Sequence, residues 1–155
     1  METGSKVAVV TGGASGIGRA TAAALAARGY RIALWDRDDS QAAIVSDELS
    51  HAMAVHVDVT DPNEVRQAVS TTIGAMGSIS VLVAAAAVGT YGPIVDVSDD
   101  EWRRVMSTDV DGVFWCLRET AREMKAHGGG SGAAGRDSPS LASACAIATD
   151  HSLRS

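Results

Sequence analysis

A chain of 155 residues suits a single domain with a real core, because a domain of this size hides roughly 70% of its unfolded surface. Hydrophobic residues at 46% and charged residues at 21% are the proportions of a soluble globule, and no run approaches the ~20 apolar residues of a membrane span. A net charge of −6 with no basic stripe argues against nucleic acid or an anionic membrane as partner, since counterion release would contribute little.

The run from Lys6 to Val10, ending in Thr11-Gly12-Gly13, predicts a strand buried on both faces. Gly16 to Arg28 then repeats small apolar residues at helical spacing (Ile17, Ala20, Ala24, Ala27), and Gly29 closes the helix as a C-cap. Arg31–Trp35 predicts a second strand, followed by an Asp-rich turn and a helix from Ser40 to Leu49. A third strand is expected over Ala54–Val57. Asp61 as N-cap and Pro62 in the first helical position open the next helix, and Ser80–Ala84 predicts a fourth strand. Ser98 and Glu101 have the spacing of a capping box. Behind them Trp102, Val105, Met106, Val110, Val113, Phe114, Leu117, Ala121 and Met124 keep one apolar stripe, the strongest helical signal in the chain. Strand–helix units in succession predict a parallel sheet with right-handed crossovers.

From Gly128 the pattern stops in a Gly/Ser-rich stretch, and Leu141–Ser155 is mostly Ala and Ser. The expected organisation is therefore one domain over 1–127 and an irregular Gly/Ala/Ser-rich tail over 128–155, with the fifth strand of the sheet missing. Cys116 and Cys145 have neither metal-ligand spacing nor a disulfide pattern, and His51, His56, His127 and His151 are scattered, so no metal site is expected. Met1–Lys6 carries no apolar run, which leaves the cytoplasm as the default setting.

Thr11-Gly12-Gly13-Ala14-Ser15-Gly16-Ile17-Gly18 joins a predicted strand to a predicted helix. In that position Gly12 permits a tight turn, Gly16 lets backbone approach a pyrophosphate, and Gly18 lets the helix lie close to the strand. Amides of the first helical turn, Ser15 and Ile17 among them, then face the phosphates. Asp36 ends the second strand, 18 residues after Gly18, where a carboxylate accepts from ribose hydroxyls and repels a 2′-phosphate. NAD is expected over NADP, with the neighbouring Arg37 softening the preference. Asp58 and Val59, at the end of the third strand, lie on the same edge and are assigned to the adenine.

These motifs, together with Asp58-Val59-Thr60 and the Trp102…Gly112-Val113-Phe114 helix, resemble the short-chain dehydrogenase/reductase family over about residues 5 to 127. The resemblance implies an α/β Rossmann-like doubly wound sheet in order 3-2-1-4, and hydride transfer between a nicotinamide cofactor and an alcohol or ketone. It also implies a tyrosine, a lysine four residues later, a serine on the fifth strand and an asparagine in the long helix, acting as an acid–base site.

The chain departs from that pattern. Where the family has Asn-Asn-Ala-Gly after the fourth strand, this sequence has Ala84-Ala85-Ala86-Ala87, and Asp109 falls at the helix asparagine. Ala144 and Ala148 fall at the tyrosine and lysine if the tail is aligned to the family at all; the alternative is that the tail is unrelated sequence. Tyr91 and Tyr30 have no lysine at the required spacing, and Ser131, Ser138 and Ser140 read as loop residues. The expectation is a truncated or degenerate member without turnover. Its alternatives are an NAD-binding pseudoenzyme, an interaction module, or a non-functional fragment. Self-association is expected through the long helix or an open edge at strand four.

Overall fold

The computed structural model describes residues 6–127 and the pair Cys145–Ala146. β1 (Val7–Thr11) is buried along its whole length. It is flanked by β2 (Arg31–Asp36) on one side and β4 (Ile79–Ala84) on the other, both parallel to it. β3 (Ala52–His56) pairs outside β2, so the order 3-2-1-4 expected from the sequence is the order observed. A central strand covered on both faces must be apolar throughout, which is why Val7–Val10 does not alternate.

Successive β1 residues feed two cores. Ala8 and Val10 join Ile32, Leu34, Ala22 of α1 (Gly16–Ala26) and Val45 of α2 (Asp39–Glu48). Val7 and Val9 join Ala33, Trp35, Val65 of α3 (Pro62–Met76) and Cys116 of α5 (Val113–Ala126). Trp35 is the largest fully buried side chain, and its indole N–H donates to Thr72 Oγ1 of α3 at 3.0 Å, so its polar atom is satisfied inside the core. The α1 stripe is corrected: Gly18 and Ala22 are its buried residues, while Ile17, Ala20, Ala24 and Ala27 are exposed. In an Ala-rich helix hydrophobicity scarcely distinguishes the faces, and steric fit decides.

Asp61 caps α3 as expected, its carboxylate accepting from the Asn63 amide at 2.7 Å, and Asp38 caps α2 through the Gln41 amide at 3.0 Å. Ser98 accepts from the Glu101 amide at 3.2 Å at the start of α4 (Asp99–Met106). The reciprocal half of that capping box does not form. Glu101 instead accepts from the Thr90 hydroxyl at 2.9 Å and ties the loop after β4 to α4.

The single long helix of the sequence reading is also corrected. Ser107–Gly112 form a wide π turn between α4 and α5. The Ser107 and Thr108 hydroxyls both donate to the Arg104 carbonyl, at 3.0 and 3.1 Å, a pattern that bends helices. Gly112 then rests on Val59, where an added Cβ would lie 2.8 Å from Val59 Cγ2. The inward face of α5 is Gly112, Cys116, Glu119 and Thr120, so Trp102, Val110 and Phe114 of the expected stripe are half exposed. Glu119 links α5 to α3, with Arg118 at 2.7 Å, Arg122 at 3.1 Å and Arg66 at 3.8 Å. Burial pushes its carboxyl up, and the guanidinium bonds of Arg118 and Arg122 outweigh that and hold it below its ordinary value.

A fifth strand, expected to be missing, is present as two residues: β5 (Cys145–Ala146) pairs parallel to β4 at Val83 and Ala84. Two residues are too few to give a periodic signal. Among the described residues Ile79–Leu82 have no partner on that side, so the edge is only partly open. Among the described residues no helix is long and apolar enough to cross a membrane.

Candidate functional site

The carboxyl ends of β1, β2, β3 and β4 converge on one cleft. Gly12, Ser15, Ile17 and Gly18 form its floor, Asp36 and Arg37 one wall, Asp58 and Val59 a second, and Ala85–Val88 with Thr108 a third. Gly16 stands in the same turn with a positive φ of 50°. All eight residues singled out from the sequence for cofactor contact thus lie in or beside this cleft.

The turn is built by close approach. Gly12 leaves β1 at φ 62°, and a Cβ there would lie 2.8 Å from Ala86 Cα. Gly18 packs α1 on the Gly12 carbonyl, which a Cβ would overlap. Gly12 is fixed from the other side by its own amide, which donates to the Trp35 carbonyl at 2.8 Å. These contacts bring the first turn of α1 to the sheet edge, where Ser15, Ile17 and Gly18 line the cleft and the first-turn amides have no partner within the helix.

The helix starts differ in a way that bears on ligands. α2, α3 and α4 each have a side-chain cap and an acid in the first turn. α1 has neither, because Ser15 makes no capping bond and no acid follows it. The positive end of the α1 dipole therefore has neither a cap nor an acid from its own first turn, and suits an anionic group.

Asp36 is held from two directions. The Ala14 amide donates to Oδ2 at 3.0 Å and the Asp38 amide to Oδ1 at 3.0 Å. The carboxylate is thereby fastened beside the glycine turn, with lone pairs left on each oxygen for further donors. Asp58 closes an Asx turn: Oδ1 accepts from the Thr60 hydroxyl at 2.7 Å and the Thr60 amide at 2.9 Å. The Asp58 amide donates to Glu64 Oε2 at 2.7 Å.

Those two Thr60 bonds hold the Asp58 carboxyl below the usual carboxylate range; partial burial opposes them and the Arg37 and His56 charges assist. A carboxyl depressed by folding contributes stability above its unfolded pKa and loses it as pH falls through the folded value. Thr60→Ala is expected to destabilise the chain near neutrality, and the gap to the parent should narrow below about pH 4. Urea midpoints at several pH values measure this; a gap that stays constant on acidification contradicts it.

Thr11, read in the sequence only as the first letter of the motif, braces the site. Its buried Oγ1 accepts from the Ala85 and Ala86 amides, each at 3.0 Å, so the four-alanine strip is held through backbone. Asp109 Oδ1 accepts from the Val88 amide at 2.9 Å and fixes the same strip farther along. The Thr–Gly pair at the strand end was the available signal for Thr11, but its bonding partners lie 74 and 75 residues away. Trp35, Arg37, Val57, Thr108 and Ala85–Val88 also line the cleft; apart from Arg37, none was assigned to it from sequence. Ala144 and Ala148 lie outside the described residues, as do Ser131, Ser138 and Ser140. Chemically, the cleft offers amides to a phosphate linker and a fixed carboxylate to a vicinal diol.

The family model described as short chain dehydrogenase matches residues 6–133. A 3-alpha-(or 20-beta)-hydroxysteroid dehydrogenase of Mycobacterium tuberculosis is 38% identical over 127 residues, covering 81% of this chain and 49% of that protein. A short chain dehydrogenase/reductase from Burkholderia phymatum, solved in complex with NAD, superimposes with a TM-score of 0.77 at 31% identity, over 82% of this chain and 47% of that one. An alcohol dehydrogenase from Thermococcus sibiricus, complexed with 5-hydroxy-NADP, has a TM-score of 0.75 at 30% identity, over 80% and 55%. The chain spans about half the length of the curated relatives it matches.

Proposed function

The chain belongs to the short-chain dehydrogenase family, and from that membership we propose that it binds NAD along the carboxyl edge of its sheet, as the cofactor-holding part of an oxidoreductase acting between alcohols and ketones. The supporting observation is Asp36, fastened between the Ala14 and Asp38 amides beside an uncapped helix start. In this reading Gly12, Ser15, Gly16, Ile17 and Gly18 cradle the pyrophosphate, Asp36 accepts from the adenosine ribose, and Asp58 and Val59 flank the adenine. A bound nicotinamide supplies or receives the hydride. A 2′-phosphate would meet the Asp36 charge, and Arg37 offsets only part of that repulsion, so NADP binds less well. The cytoplasm is the setting this reading assigns.

The acid–base step is the part these residues do not support. Ala85 and Ala86 offer only backbone, and Asp109 is an acceptor already engaged by Val88. A missing general acid typically lowers rate by ~10² to 10⁴. We infer that the chain alone binds cofactor without useful turnover, as an NAD-binding pseudoenzyme would. Calorimetric titration is expected to show NAD binding at least about tenfold tighter than NADP, with the ratio collapsing in Asp36→Ala, as loss of bonds to a charged acceptor predicts. No NADH should form from simple alcohols above a protein-free control. NADP binding as tight as NAD, or steady NADH formation, would overturn the respective half of this proposal.

The half-exposed Trp102, Val110 and Phe114 support a second inference, that two copies associate through the α4–α5 face. Sedimentation is expected to show a dimer that Phe114→Lys disperses; a monomer at all concentrations contradicts it.

A further inference from the structure

Beside the ribose end of the cleft stands a group that the cofactor reading leaves unused. His56 ends β3, and its Cα is in register with that of Asp36 on β2. Its Nδ1 lies 2.8 Å from Asp39 Oδ1 in the first turn of α2, and its Nε2 lies 4.0 Å from Glu64 Oε2 in the first turn of α3. Glu64 in turn accepts from the Asp58 amide, and the residue before Asp39 is Asp38, whose amide donates to Asp36. A single imidazole thus bridges two helix starts that hold the cleft's acids, α2 through the Asp38 amide on the Asp36 carboxylate and α3 through the Glu64 carboxylate on the Asp58 amide.

We propose that His56 in its imidazolium form is a positioning residue for the dinucleotide, clamping the α2 and α3 starts so that Asp36 and Asp58 hold the cleft geometry, and that cofactor affinity therefore falls as pH rises through its titration. This rests on the cofactor reading above and adds a pH dependence to it. The groups facing His56 are Asp39 from α2, Glu64 from α3 and Asp58 from the segment after β3, with Asp36 in register on β2 and Arg37 beyond it. Four of these five are acids, so the cationic form is favoured. The Asp39 bond and charge raise the imidazole above its ordinary value, Glu64 and Asp58 assist, and its slight burial opposes them. An imidazolium also reduces the negative charge of an edge that must accept a pyrophosphate. By linkage, if the cation favours binding, then bound cofactor favours the cation, and affinity changes by up to tenfold for each pKa unit gained on binding.

NAD titrated into the full chain by calorimetry at about pH 6 and about pH 8 tests this. The parent is expected to bind about threefold to tenfold tighter at the lower pH. His56→Gln should bind with the weaker affinity at both, and His56→Lys, a permanent cation, should keep the tighter affinity at both. Parent affinity that is equal at the two pH values, or a pH effect that survives in His56→Gln, overturns the role of His56 and leaves the cofactor reading intact. Absence of NAD binding by the parent at both pH values overturns the cofactor reading, and this inference with it.

Discussion

Gly18→Val is expected to destabilise the chain by about 3 kcal/mol, at the upper end of ordinary overpacking, and to abolish dinucleotide binding in whatever remains folded. The new Cβ would sit on the carbonyl group of Gly12, which is backbone and has nowhere to go. Gly12 donates to the Trp35 carbonyl on one side and abuts the Ala86 backbone on the other. The strain must therefore be relieved by α1, which would lift from the sheet and take Ala22 out of its core. Gly74 is the matched control, because a Cβ there meets nothing within 4 Å in the last turn of α3. Gly74→Ala should stabilise by up to about 0.5 kcal/mol, below the mid-helix value because α3 ends two residues later, so two glycine substitutions in one fold have opposite signs. Urea midpoints at constant m-value decide the matter, and an unchanged midpoint for Gly18→Val contradicts the packing described.

Thr11→Val should cost about 2–4 kcal/mol although it preserves shape. The substitution removes one oxygen that serves two part-buried amides, those of Ala85 and Ala86, and each donor left unsatisfied away from water costs about 1–3 kcal/mol. Thr11→Ser keeps the oxygen, loses one methyl group, and should cost only about 1 kcal/mol. Amide exchange separates this from a general loss of packing: the Ala85 and Ala86 protons should exchange faster than their β4 neighbours in the valine variant only. NAD affinity should fall in parallel, because the strip these amides hold is a wall of the cleft. Equal stability of the valine and serine variants would show that the hydroxyl does not brace the strip.

The features legible in the sequence are those set by local chemistry. Val7–Val10 declared a strand covered on both faces, Asp61-Pro62 a helix start, and the glycine turn followed by Asp36 a sheet edge where all of these meet. What escaped were features set by contacts distant in sequence. The hydrophobic stripe from Trp102 to Met124 reports spacing, and spacing does not register a π turn whose causes are Arg104's doubly used carbonyl and the close seat of Gly112 on Val59. The inward face of α5 carries Glu119 and Thr120, which a hydrophobicity pattern assigns to solvent; Glu119 is inside because three arginines accompany it. Thr11 looked like punctuation before the glycines and is a double acceptor. β5 is two residues long, shorter than any periodicity.

The bare start of α1 couples occupancy to durability. At the starts of α2, α3 and α4 an aspartate or serine of the chain itself quiets the exposed amides; at α1 that office is left to a guest. A phosphate settling there would complete the cap of α1, and the folded form would gain RT ln(1 + [L]/Kd) from it, about 2.7 kcal/mol at a hundredfold excess over Kd. Melting temperature would then report how much dinucleotide surrounds the protein, and the empty form would be the more readily unravelled and degraded of the two.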